Sequence, residues 1–269
     1  MTPIAVTIAG SDSGGGAGLQ GDLKTFSALG VYGASVVTAL TAQSTMGVTA
    51  IHDVPADFIA AQMDAVFSDL RVGAVKIGML SQAPAIHAVA AGLERWRQRK
   101  VVLDPVMVAS SGERLLAVDA IAVLKRELFP RVMVLTPNLP EAAVLLGVRV
   151  AQSEDEMRDQ AQRLLALGPK AVVLKGGHGQ GPDSIDLLVD GTGAVALPLL
   201  RIASRNTHGT GCAFSAAIAA GLAQDMDLQA ATRAAKSYVH AAITAADMLE
   251  IGSGPGPVHH FHAMWPGRR

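Results

Sequence analysis

Short runs of β-branched and aliphatic residues alternate along this chain with longer stretches of helical spacing. Residues 4–9 (IAVTIA) are apolar almost throughout, as in a strand covered on both faces. A glycine-rich turn follows, and residues 19–30 (LQGDLKTFSALG) have helical spacing with a glycine stop. Residues 34–42 (ASVVTALTA) predict a second strand, and residues 55–70 predict a helix with Pro and Asp in its first turn. The same logic predicts a strand at 74–78, a helix near 83–98, and a strand at 100–104 whose last residue is acidic. A helix at 119–129, a strand at 132–136, a helix at 153–168 and a strand with its turn at 170–177 continue the series. The rhythm then changes. Residues 184–200 read as a hairpin turning on Asp-Gly-Thr-Gly, and helices are expected at about 211–223 and 227–249.

This alternation predicts an α/β fold with a mainly parallel central sheet and helices on both faces. Ligands of such sheets bind beyond the carboxyl ends of the strands. The loops of interest are therefore 10–18, 43–47, 78–82, 104–114, 136–141, 175–183 and 204–212.

Composition narrows the function. The chain has 269 residues, enough for one large domain or two small ones, and neither repeats nor a low-complexity linker divide it. Half of it is apolar and only 4% aromatic, so the core must rest on Ala, Leu, Val and Ile. A formal charge of −1 without long basic runs gives no support to a nucleic-acid or membrane-surface partner. No apolar run approaches the roughly 18 residues of a membrane span, and the first ten residues read as a buried strand rather than a leader. The lone cysteine, Cys212, cannot form an internal disulfide. A soluble cytoplasmic protein is the expectation.

Four loops carry chemistry. Residues 10–18 (GSDSGGGAG) are either a tight strand-to-helix turn or a backbone cradle; their spacing matches neither a dinucleotide fingerprint nor a P-loop. In residues 136–141 (TPNLPE), Asn138 is either the cap of a short helix or, with Glu141, an organiser of water around Mg²⁺, a hard ion that prefers oxygen. Lys175, ahead of two glycines, can meet phosphate oxygens or simply be solvated. Gly209-Thr210-Gly211 precedes a helix of small residues, an arrangement that offers free N–H groups to an anion. A thiol at that helix start, Cys212, is expected to have a lowered pKa, the alternative being a buried structural cysteine. The HHFH string at 259–262 reads as a docked tail rather than a metal site.

Taken in order, TIAGSDSGGGAGLQGDLKTFSALGVYG, VVTALTAQST, KIGML, VLDPVMVASSG, TPNLPEA, KGGH, RNTHGTGCAFSAA and GPVHHFH span nearly the whole chain. Together they resemble the hydroxymethylpyrimidine/phosphomethylpyrimidine kinases of thiamin biosynthesis, within the ribokinase-like superfamily. The resemblance implies a three-layer α/β/α fold, one domain over residues 1–269, a homodimer, and use of ATP and Mg²⁺. It implies two successive phosphorylations of an aminopyrimidine alcohol; pyridoxal kinase is the alternative on the same fold. By the same resemblance Gln43 binds the pyrimidine, with Gly10, Asp22, Met79 and Val106 lining its pocket. Asn138 and Glu141 organise Mg²⁺ and phosphate, Asp104 sits near the metal, and Lys175 and Gly176 serve the nucleotide. Gly209, Thr210 and Gly211 form the anion hole, and Cys212 stands where most of the superfamily has an aspartate base. One departure is visible: Ser13-Gly14 replaces the family's usual Pro-Ser, which predicts a more flexible first loop. Loops 10–18 and 176–181 are the candidates to close over the site.

Overall fold

The computed structural model describes residues 1–109, 112–113, 115–177, 179 and 181–265. Ser110 and Ser111 of the VLDPVMVASSG motif, His178 of KGGH and Gln180 of the 176–181 loop lie outside the described residues.

Among the described residues nine strands form one sheet in the order β3-β2-β1-β4-β5-β6-β7-β8-β9. The parallel part comprises β2 (Tyr32–Ser44), β1 (Ile4–Asp12), β4 (Ala74–Ile77), β5 (Val101–Leu103), β6 (Val134–Leu135) and β7 (Ala171–Leu174). Antiparallel partners extend both edges: β3 (Gly47–Asp53) on β2, and the hairpin β8 (Asp183–Asp190) and β9 (Gly193–Leu200) on β7. The hairpin turns at Gly191-Thr192, as its Asp-Gly-Thr-Gly sequence predicts.

Side chains of the central strands alternate between two cores. On β7, Val172 and Leu174 enter one and Ala171 and Val173 the other. The first core is covered by α2 (Ala56–Asp69), α3 (Ala83–Arg95), α4 (Ala120–Glu127), α5 (Leu139–Leu146) and α6 (Glu154–Leu165). The second is covered by α1 (Gly18–Ala28), α7 (Thr210–Ala223) and α8 (Leu228–Thr244). This is the three-layer α/β/α arrangement, and burial on both faces is why the inner strands are mostly apolar, with buried Thr7 on β1 and Lys76 on β4 as exceptions.

Helix α7 explains the run of small residues after Cys212. Every residue from 213 to 223 is buried, so the helix has no polar face and lies wholly inside the second core. A Cβ on Gly221 would stand 2.9 Å from that of Ala231, so glycine lets α8 pack closely against it.

Two expectations change. Strand β3 was not foreseen, and residues 43–47 are the end of β2 and its turn rather than a loop after a strand. β3 is exposed at most positions and is held by pairing to β2, so it lacks the apolar alternation that marks a half-buried strand. The last helix stops at Thr244, and a short 3-10 turn, Ala246–Met248, follows it. The HHFH segment is docked: the His259 N–H donates to Ala242 O at 3.0 Å and the Tyr238 hydroxyl to His260 O at 2.8 Å. Burial pushes the His260 pKa down to about 4, so its ring is neutral near pH 7.

Candidate active site

The loops that follow β1, β4, β5, β6 and β7 meet the start of α7 around a cavity of about 790 Å³. Its first end is lined by Gly10, Gln43, Met79 and Val106. Gly10 sits at a register shift of β1 against β2, and a Cβ there would come within 3.0 Å of the Met79 sulfur. Glycine therefore lets the methionine lie flat against the strand end. The Gln43 Oε1 accepts from the Thr41 hydroxyl at 3.0 Å, which orients the carboxamide. On the β8–β9 side of the sheet the wall is mixed: Leu199, Ile202, Val239 and Ile243 stand beside Ser184, Asp186, Arg201, Lys236 and His240.

Asp104, Glu141 and Lys175 put a cluster of charge between these two sides. Asp104 follows β5, and its Oδ1 accepts from Lys175 Nζ at 2.8 Å while its Oδ2 accepts from the Ser215 hydroxyl at 3.3 Å. Lys175 follows β7, where its N–H donates to Pro137 O at 2.9 Å. Burial works against the Lys175 charge, but Asp104 and Glu141 outweigh it and raise its pKa, so the ammonium persists. Asn138 and Glu141 do form a helix cap: Asn138 Oδ1 accepts from Glu141 N at 2.8 Å, and Glu141 Oε2 accepts from Asn138 N at 2.7 Å. Both also line the cavity, so the cap itself carries a carboxylate into the site. Burial lifts the Glu141 pKa to about 7; Lys175 opposes the rise and Asp104 adds to it.

Gly209, the N-cap of α7, has φ 81°, and no side chain caps the helix. The Thr210 N–H turns back onto Thr207 O at 3.2 Å, and the next N–H groups, of Gly211 and Cys212, lie at the wall to which Gly209, Thr210, Gly211 and Cys212 all contribute. The Thr210 hydroxyl is used within the loop, donating to Thr207 O at 2.6 Å. Cys212 does not have the lowered pKa expected of a helix start. Burial pushes it up to about 11; Asp22 and Asp104 add to the rise, while Lys76 and the Gly18 amide pull back only in part. The thiol is thus protonated near neutrality.

Two other expected site residues stand away from the cavity wall. Asp22 points from α1 into the sheet, where its Oδ2 accepts from the Lys76 ammonium at 2.8 Å and the Thr7 hydroxyl at 2.6 Å. Asp22 and Lys76 are each 0% exposed, and a buried charge needs a partner. Lys76, which sequence reasoning passed over as a strand residue, is the member of that pair that lines the cavity. Gly176 lies under the β8–β9 hairpin: its N–H donates to Asp186 Oδ1 at 2.8 Å, and a Cβ there would collide with the Ile185 carbonyl. Gly177 takes its place in the wall, and Asp186 and its ion-pair partner Lys236 (2.8 Å) are further lining residues that no motif had marked.

The first glycine loop also differs from expectation. The Ser13 hydroxyl donates to Gln43 O at 2.7 Å and accepts from Gln43 N at 2.8 Å, so the serine that replaces proline ties the loop to β2. Among the described residues no group of three or more His, Cys, Asp or Glu is disposed to hold a metal ion, and no helix is long and apolar enough to cross a membrane.

The model of the phosphomethylpyrimidine kinase family matches residues 12–259. The chain belongs to that family. It is accordingly a kinase. A hydroxymethylpyrimidine/phosphomethylpyrimidine kinase from Rhizobium meliloti (strain 1021) is 61% identical over 265 residues, covering 98% of this chain and 99% of the relative. Among solved structures, the phosphomethylpyrimidine kinase from Clostridium difficile 630 superposes with a TM-score of 0.79 at 40% identity, covering 89% of this chain and 99% of that one. The ADP complex of Bacillus subtilis pyridoxal kinase reaches a TM-score of 0.89 at 34% identity, covering 98% and 99%.

Proposed function

We propose that this chain, acting as one kinase domain over residues 1–269, transfers phosphate from ATP to the hydroxymethyl group of 4-amino-5-hydroxymethyl-2-methylpyrimidine. A second transfer converts the monophosphate to the diphosphate that enters thiamin diphosphate synthesis. The observation that carries this reading is the order of chemistry across the sheet at one cavity: a carboxamide beside apolar contacts, a helix start without a side-chain cap with a cation and carboxylates, then the apolar groups of β9 and α8 set beside Asp186 and Lys236. That order fits a small aminopyrimidine, a transferring phosphate and a nucleotide base.

Gln43 is the ring-recognition residue, because a carboxamide offers a donor and an acceptor to a ring nitrogen and its neighbouring amine. Gly10, Met79 and Val106 enclose the ring. The α7 amides and Lys175 hold the transferring phosphoryl group. Asp104 and Glu141 would hold Mg²⁺. Burial first, and the Asp104 carboxylate after it, raise the Glu141 pKa, and a divalent ion that keeps several waters would relieve both. The metal would neutralise phosphate charge. The Cys212 thiolate, a minority form near neutrality given a pKa of about 11, accepts the proton of the substrate hydroxyl and becomes the thiol. Phosphoryl transfer depends mainly on positioning and charge neutralisation, so a sparse base suffices. A cytoplasmic homodimer belongs to the same proposal, and light scattering reads the dimer directly.

The test is turnover with ATP, followed by mass spectrometry. Sequential appearance of the pyrimidine mono- and diphosphate is expected; retained pyrimidine binding without phosphorylated product would overturn the reading. A higher kcat/KM for pyridoxal than for the pyrimidine alcohol would transfer the assignment to pyridoxal phosphorylation.

A further inference from the structure

Two loops far apart in the chain meet through one carboxylate. Asp12, the last residue of β1, has an Oδ1 that accepts from Gly14 N at 2.8 Å. Its Oδ2 accepts from Gly16 N at 3.1 Å, Ala17 N at 2.8 Å and the Nε2 of His208 at 2.9 Å. His208 immediately precedes Gly209, the N-cap of α7. The backbones touch at the same place: a Cβ on Gly209 would collide with the Gly16 carbonyl, and one on Gly16 would collide with the His208 ring. From the other side, the His208 N–H donates to Gly256 O at 3.1 Å and its carbonyl accepts from Val258 N at 3.2 Å.

The glycine-rich loop therefore carries its own anion. Amides that could cradle a phosphate are already turned onto Asp12. Burial pushes the Asp12 carboxyl up, but His208 and the loop amides prevail and hold it below the usual carboxylate range. The side chains of Asp12 and His208 are only 3% and 12% exposed, so water competes little for this contact.

We propose that the Asp12–His208 pair is a positioning clamp for phosphoryl transfer. It fixes the α7 amides of the anion hole against the strand end that bears the substrate pocket, and acts through the two loops rather than on substrate. Small misplacements of a reacting group cost large factors in rate, and this contact joins the two halves that must be aligned.

The proposal rests on the kinase reading of the cavity, and wild-type turnover in the same assay tests that reading separately. The experiment is steady-state kinetics and amide hydrogen exchange on His208→Ala, His208→Gln and Asp12→Asn. His208→Ala is expected to lower kcat about 100-fold with KM for both substrates within about threefold. Exchange should quicken together in residues 13–17 and 207–212, an effect that registers whether or not product forms. His208→Gln, whose amide N–H reaches the same oxygen, should recover about tenfold of the lost kcat. Asp12→Asn, which keeps one acceptor for the loop amides, should reproduce the fall in kcat even if His208→Ala does not fold. A His208→Ala or Asp12→Asn enzyme with kcat within about twofold of wild type, a loss confined to KM, a glutamine no better than alanine, or exchange that quickens in only one loop would overturn the clamp.

Discussion

Residues 12–17 and residues 207–211 look alike in sequence: both are rich in glycine, and both run into a helix of the second core. Their amides have opposite fates. The first loop turns its N–H groups onto the Asp12 carboxylate, while the second ends in a helix start that no side chain caps. Glycine density marks where backbone can approach something closely; it does not say whether that something is a ligand or the protein's own acid. An internal acceptor takes up the amides of the first loop, and the start of α7 has no such side-chain acceptor.

Substitutions can break this contrast. Gly209→Ala should have the largest effect, because Gly209 has φ 81° and its new Cβ would collide with the Gly16 carbonyl. We expect kcat to fall by about 10²–10³, the range seen on losing a charge-stabilising donor; kinetics within tenfold of wild type would remove the second loop from phosphate binding.

Cys212→Ala should lower kcat by about 100-fold while KM for the pyrimidine stays nearly constant. The thiolate fraction grows with pH until the pKa of about 11. Wild-type kcat should therefore climb about tenfold per pH unit above neutrality, and the alanine variant should lose that slope. A flat wild-type profile would leave the sulfur as a positioning group.

Gln43→Ala tests the neighbour to which Ser13 ties the first loop. It should raise the pyrimidine dissociation constant by about tenfold, the worth of one to two hydrogen bonds, with kcat less affected; calorimetry reads the constant, and an unchanged value would move ring recognition elsewhere.

The smallest catalytic effect is expected at Gly15, a first-loop position outside the Asp12–His208 contact. Gly15→Ala places a Cβ at φ 79° and 3.2 Å from the Lys24 ammonium. Stability should drop by about 1–2 kcal/mol in denaturant titration while kcat stays within about threefold. A fall in kcat comparable to that of Gly209→Ala would erase the distinction between the loops.

Much of this was legible in the sequence, and the failures share a cause. Strand-helix alternation brings most of the singled-out loops to one cavity, because buried strands and amphipathic helices leave local patterns. Gln43, Met79, Val106, Asp104, Asn138, Glu141, Lys175 and residues 209–212 all line the cavity. Asp22 does not, because its role depends on Lys76 arriving from β4, 54 residues away. The Cys212 pKa was misjudged because a helix start is local, whereas burial and the charges of Asp22 and Asp104 come from other elements. β3 escaped notice because an exposed strand held by one neighbour has no apolar period. The Asp12–His208 contact spans 196 residues and leaves no local trace.

The most direct test is a structure of the enzyme with a non-hydrolysable ATP analogue and the pyrimidine alcohol bound. The terminal phosphate should accept from the Gly211 and Cys212 amides, with the hydroxyl about 3–3.5 Å from both the phosphorus and the Cys212 sulfur. A phosphate seated on the amides of Gly14, Gly16 and Ala17, with Asp12 displaced, would contradict that placement.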